Sequence, residues 1–177
     1  FGMSFSSIIN SGSVNLLPNL LAVLNSKFAL HWFYKNGKHR GAGVDIGVEK
    51  LRTFPLVQNF KQESLKSLSE IMTFVLSNIK FIDEQVPNTH LAETFDEVID
   101  ALVFELYFPN EFAEKGIEIE KYAKDIFNPI EGLKEDEKIK AIQKAYQTLR
   151  EKDNPLRNQI KLMKIELKEL LLPILSV

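Results

Sequence analysis

The sequence predicts a mainly α protein, a helical bundle with a short α/β N-terminal segment of one helix and one or two short strands. Three observations carry this. From about residue 60 onward, apolar residues recur at three- and four-residue steps nearly to the end. Pro87, Pro109 and Pro155 fall at the edges of those periodic runs, where proline opens or stops a helix. Four of the eight glycines (Gly37, Gly41, Gly43 and Gly47) crowd into one stretch, "WFYKNGKHRGAGVDIGVEK", where no helical period survives.

The elements follow in order. "FSSII", residues 5–9, reads as the end of a strand. "NLLPNLLAVLNSKFALHWFYK" reads as one helix, with Leu17, Leu20, Leu21, Leu24, Phe28 and Trp32 on its apolar face and Pro18 in the first turn. Asn36-Gly37 should stop it, since both residues tolerate the left-handed cap conformation. After the glycine loop, "VDIGVEKLRTFPL" alternates weakly and ends at Pro55, which predicts a short strand or extended segment. "ESLKSLSEIMTFVLSNI" puts Leu65, Leu68, Met72, Val75 and Ile79 on one helical face. A break at Pro87 and Asn88 precedes "TFDEVIDALVFELYF", with Thr89 or Thr94 as its cap and Pro109 as its stop. "GIEIEKYAKDIF" is a short helix or half-turn. "KEDEKIKAIQKAYQTLREK" carries Ile139, Ile142, Tyr146 and Leu149 in register. "DNPLRNQIKLMKIELKELLLPIL" reads as a last helix, with Asn154 as cap, Pro155 at the first helical position, and Ile160, Met163, Leu167 and Leu170 in its stripe.

Composition bounds the function. A chain of 177 residues fits one medium domain or a domain fragment with an appendage, and 45% hydrophobic residues with 13 Phe supply a core. Cys is absent, which excludes disulfides and thiolate metal sites. His31, His39 and His90 are dispersed and form no zinc-ligand spacing. No apolar run reaches the length of a membrane span, and the start lacks the regions of a signal peptide. The expectation is an intracellular soluble protein. "FGMSFSS", with an internal Met3, reads as a trimmed edge or tag remnant.

Charge is split along the chain. Residues 1–58 hold six Lys and Arg against Asp45 and Glu49, a balance of +4. Residues 59–177 hold 16 basic and 22 acidic residues, a balance of −6. The asymmetry points to a polyanion partner for the first part. The expected division falls near Leu56–Lys61, giving segments 1–58 and 59–177.

The glycine stretch departs from the nucleotide motifs. "GAGVDIG" is G-x-G-x-x-x-G, one residue too long for the dinucleotide fingerprint, and "KNGKHR" before it is no buried strand. The Walker pattern is absent. Two readings stay open: a connector between helix and strand, or a loop against a nucleic-acid backbone. In the second, Lys and Arg neutralise phosphates while glycine N–H groups approach them unobstructed.

No catalytic centre emerges. Asp96 and Asp100 share a helix face, a pattern that can bind a metal or share a proton. They fall away from the stripe of Phe95, Val98, Ile99, Leu102 and Leu106, and read as solvated or ion-paired carboxylates on a central helix. "ELK" at Glu166–Lys168 lacks the Pro-Asp of a restriction-nuclease centre. Asn128-Pro129 and Asn154-Pro155 are followed by Ile130 and Leu156, not by the Pro-Tyr that adenine methylation uses to hold a flipped base.

Larger pieces carry a resemblance. "LLAVLNSK" at Leu20–Lys27, the aromatic "WFY", the glycine loop and "VEKLRTFPL" at Val48–Leu56 occur in that order. Together they resemble the end of a target recognition domain. Such domains occur in Taq-type adenine methyltransferases, type IIG restriction–modification enzymes and type I specificity subunits. "FDEVIDALVFELYFPNEF", Phe95–Phe112, and "LREKDNPLRNQIKLM", Leu149–Met163, are similar to the C-terminal regions of large type IIG-like enzymes. The resemblance covers most of residues 15–177 and marks no catalytic residue.

It implies a parent enzyme of bacterial or archaeal cytoplasm that methylates the exocyclic amine of adenine from S-adenosylmethionine, with or without a nuclease domain. Those parts would lie upstream, so no cofactor is expected in this chain. The implied partners are double-stranded DNA, the upstream methyltransferase domain and a second copy of the chain; no membrane is expected. Lys35, Lys38, His39, Arg40, Lys50 and Arg52 would contact DNA phosphates. The alternative is a helical protein-interaction or dimerisation module that does not touch DNA.

Overall fold

The computed structural model describes residues 8, 16–40, 43–58, 60–78 and 82–176, with the side chain of Arg40 outside that set. Ten helices and one two-stranded antiparallel sheet run through them, so the predicted mainly α fold is the observed one. The "FSSII" strand and Ile79 of the predicted stripe fall outside the described residues, apart from Ile8, which is exposed.

The first helix is two. α1 spans Leu17–Asn25 and α2 Lys27–Asn36, with Ser26 extended between them at φ −71° and ψ 159°. Serine competes for backbone hydrogen bonds and favours such caps. Its hydroxyl donates to the Val23 carbonyl at 2.7 Å and accepts from the Ala29 N–H at 3.3 Å. The break also turns α1 away from its predicted stripe. Leu17 and Leu21 are exposed, while Asn19, Ala22 and Val23 are buried. α1 lies along α4 (Glu63–Ser77), and the Asn19 amide donates to the Gln62 carbonyl at 2.6 Å.

The glycine stretch is a hairpin followed by a helical turn. β1 (Lys38–Arg40) pairs with β2 (Gly43–Asp45), and α3 (Val48–Arg52) replaces the extended return expected there. Gly37 does end α2, but in extended backbone at φ −79°, not in the left-handed cap.

The longest helix, α5 (Asn88–Tyr107), is the axis of the fold. Every residue from 98 to 104 along it is buried, and α4, α2, α6 (Pro109–Glu114), α7 (Ile119–Ala123) and α9 (Pro155–Glu166) pack on it. Neither Thr89 nor Thr94 caps it. Asn88 is the first helical residue; its amide donates to the Val75 and Asn78 carbonyls at 3.3 and 3.0 Å, and its Oδ1 accepts from the Ile82 N–H at 3.0 Å. The Thr94 hydroxyl instead donates back to the His90 carbonyl at 2.8 Å. Pro109 does follow the end of α5 and opens α6. Gly116 and Gly132, at φ 64° and 77°, take the left-handed turns on either side of α7.

α8 (Glu135–Arg150) buries Ile142, Tyr146 and Leu149 as its period predicts. Asn154 caps α9, accepting from the Arg157 N–H at 3.0 Å, with Pro155 in the first turn. The last predicted helix is again two, because Leu167 leaves helical geometry before α10 (Lys168–Leu175). One hydrophobic cluster joins Ala22, Val23, Ala29, Phe33 and Phe54 to Leu65, Phe95, Phe104, Met163 and Leu171, on both sides of residues 56–61.

Candidate nucleic-acid interface

The chain between α2 and α4 makes an excursion fastened at both ends. At the start, the Gly37 N–H donates to the Phe33 carbonyl at 2.6 Å. A Cβ at position 37 would overlap Val44 Cγ1 and lie 2.6 Å from the Phe33 carbonyl oxygen. Glycine is thus required by the fold-back of β2 on the end of α2, not by a special backbone angle. At the far end, Phe54 is buried in an aromatic cluster: it stacks on Phe33 at 5.4 Å and meets Trp32 edge-on at 5.4 Å. Phe28 extends the cluster to Tyr107, with ring centroids 3.8 Å apart. Burial pushes the Tyr107 phenol up to about 12.

Five of the six predicted phosphate contacts have described side chains, and all five are exposed: Lys35, Lys38, His39, Lys50 and Arg52. Lys35 sits in the last turn of α2, where the helix dipole favours a cation. In the hairpin register Lys38 faces Asp45, His39 faces Val44, and Arg40 faces Gly43. The His39 ring lies edge-on to Tyr34 at 4.9 Å. Lys50 and Arg52 ride on α3; Arg52 pairs with Glu49 at 3.0 Å, and both partners are largely exposed. Such a pair is weak and leaves the guanidinium available to a stronger anion. The structure brings Lys35, Lys38 and His39 to the junction of α2 with the hairpin, and places Lys50 and Arg52 beyond it on α3.

The carboxylates of α5 correct the expectation of a solvated or merely ion-paired set. Asp100 is 5% exposed and accepts the backbone N–H of Lys27, the first residue of α2, at 2.7 Å. Burial pushes its carboxyl up to about 6 against that hydrogen bond, with Asp96 and Glu97 adding to the rise and Lys27 opposing it. Glu105 does the same for α7, accepting the N–H groups of Ile119 and Glu120 at 2.8 and 2.7 Å. Glu97 pairs with Lys164 of α9. Asp96 is half-buried, and its carboxyl is raised chiefly by burial. Three of the four acids thus tie α5 to its neighbours. The sequence signal for Asp100 was its position inside the run "VIDALVF", where a solvated carboxylate has no room.

Among the described residues, no three or more His, Cys, Asp or Glu gather to hold a metal ion, and no helix is long and apolar enough to cross a membrane. A groove of about 710 Å³ runs beside α1 and α4, with Ile8, Leu17, Leu21, Leu24, Phe74 and Ile130 among its lining. No protein-family model, curated protein or solved structure matches this chain.

Proposed function

We propose that this chain is a noncatalytic C-terminal region of a cytoplasmic bacterial or archaeal DNA adenine methyltransferase or restriction–modification enzyme, and that its basic hairpin contacts the phosphate backbone of duplex DNA. The observation that carries this reading is the anchored excursion. Lys35, Lys38, His39, Lys50 and Arg52 are all exposed on one segment, and the hairpin that carries Lys38 and His39 is fixed to the bundle through Gly37 and Phe54. Phosphate contacts position a protein on a duplex without reading its sequence. Methyl transfer, with its S-adenosylmethionine, belongs in this reading to a domain upstream of the chain.

Binding of the purified chain to a labelled duplex, measured by anisotropy across a salt series, tests it. Each neutralised phosphate contributes about 0.9 to the slope of log K against log salt. Lys35→Ala with Lys38→Ala is expected to lower that slope by about 2 and to weaken all duplex sequences alike. An unchanged slope in a variant that melts normally rejects the hairpin as the contact.

A second reading, docking of another chain without DNA contact, is favoured by the groove beside α1 and α4 and by the exposure of Leu17, Leu21 and Leu76. It predicts concentration-dependent sedimentation that Leu21→Glu abolishes. A monomer at every concentration, with no affinity for a methyltransferase domain, counts against it.

A further inference from the structure

The α5–α8–α9 side of the bundle carries a second concentration of positive charge, distant in sequence from the hairpin. α9 presents Arg157, Lys161 and Lys164 at steps of four and three, which is one face of a helix. Arg150, the last residue of α8, joins them, and the four line one pocket of about 510 Å³. Its floor is apolar, formed by Val98, Leu149, Ile160 and Tyr146, all largely buried. His90 and Thr94 of α5 also line it.

The charges in this pocket are balanced only in part from within, because Glu97 of α5 is the one acid in its lining. Lys164 pairs with Glu97. Among the described residues, Arg150, Arg157 and Lys161 have no acidic partner. Both arginines are nonetheless held: Arg150 lies over the Tyr146 ring at 5.7 Å, and Arg157 Nη1 donates to the Arg150 carbonyl at 3.5 Å. The first turn of α9 holds no acid, so Arg157 stands at the positive end of the helix dipole. Like charges four apart on a helix repel, and among the described residues no ion pair offsets that repulsion between Arg157 and Lys161. An anion would.

The shape narrows the anion. A concave space of this size over an apolar floor suits a compact organic ligand better than a rigid duplex. Arginine and lysine around its rim match phosphate oxygens. We propose that this pocket binds a nucleotide unit, with its phosphates on Arg150, Arg157 and Lys161 and its flat base over the apolar floor beside His90. A free nucleoside triphosphate and the end of a single strand both present that chemistry. The site shares no residue with the hairpin and lies outside the duplex-backbone reading.

Calorimetry on the whole chain tests the proposal with four probes: ATP, tripolyphosphate, adenosine and a 5′-phosphorylated single-stranded tetranucleotide. One-to-one binding is expected for ATP, for the tetranucleotide, or for both, and which of them binds identifies the source. Adenosine alone should not bind measurably, and tripolyphosphate should bind more weakly than ATP. Arg157→Gln with Lys161→Gln, both exposed positions, should weaken binding about tenfold or more with an unchanged melting midpoint. Lys35→Ala with Lys38→Ala should leave this binding intact, which separates the site from the hairpin. The proposal is overturned by no binding of either nucleotide probe at millimolar concentration. It is also overturned by affinity indifferent to the α9 variant, or by tripolyphosphate that binds as well as ATP.

Discussion

Phe95→Ala is expected to lower the unfolding free energy by about 3–5 kcal/mol, the cost of emptying a fully buried aromatic site. Phe95 has no exposed surface. It meets Phe127 edge-on at 5.6 Å and Tyr146 at 6.5 Å, so α5 is tied through it to the segment after α7 and to α8. Each such aromatic pair contributes roughly 0.5–1.5 kcal/mol beyond area burial. Domains of this size hold only about 5–15 kcal/mol in total. In urea, the midpoint should fall by more than about 1 M with little change in slope. Leu76→Ala, at a position 64% exposed, should move it by no more than about 0.5 kcal/mol. Equal effects of the two substitutions would contradict the placement of α5 at the centre of the core.

Asp100→Asn is expected to remove a pH dependence that the wild-type chain carries in the mildly acidic range. The folded-state carboxyl titrates at about 6 against an ordinary 3.8, so the folded state holds this proton more tightly than the unfolded chain. Stability contributed by the protonated form is complete below about pH 4. It is lost as pH rises to about 6, and the curve is flat above that. At 1.36 kcal/mol per unit, the loss is about 2–3 kcal/mol. Asparagine keeps the Oδ1 acceptor for the Lys27 N–H and carries no charge. The variant should therefore match wild type near pH 4 and exceed it near pH 7 in chemical denaturation. Glu70, Asp96, Glu105 and Glu120 are also raised, burial being the first cause in each. They act in the same direction, so Asp100→Asn flattens only part of the slope. A variant curve parallel to wild type between pH 4 and 7 would mean that Asp100 titrates at its ordinary value in the folded state, as a hydrated carboxylate does.

The bundle was readable because its signals are local. The stripes of α4 and α8 and the Asn154-Pro155 cap of α9 follow from spacing and from what Asn and Pro do to a backbone. The two broken helices were not readable from period alone. Ser26 and Leu167 interrupt runs whose apolar spacing continues across them, and tertiary hydrogen bonding decides the matter at Ser26 through Asp100. The leucines of α1 misled for a related reason: α1 packs through Ala22 and Val23, so Leu17 and Leu21 were left to line a groove. Net charge concealed the α9 row, because an overall balance of −6 across residues 59–177 averages away three cations on one face. The hairpin cations were visible as residue types, but their common exposure came from the fold.

Gly37 has a mechanical consequence. With no room for even a methyl group between β2 and the last turn of α2, the hairpin packs directly on the end of that helix. The other end of the helix is gripped by Ser26 and Asp100. Ten residues of helix put roughly 15 Å between grip and tip. A buried carboxylate that never meets the surface the hairpin presents thus holds the start of the helix on which the hairpin is mounted.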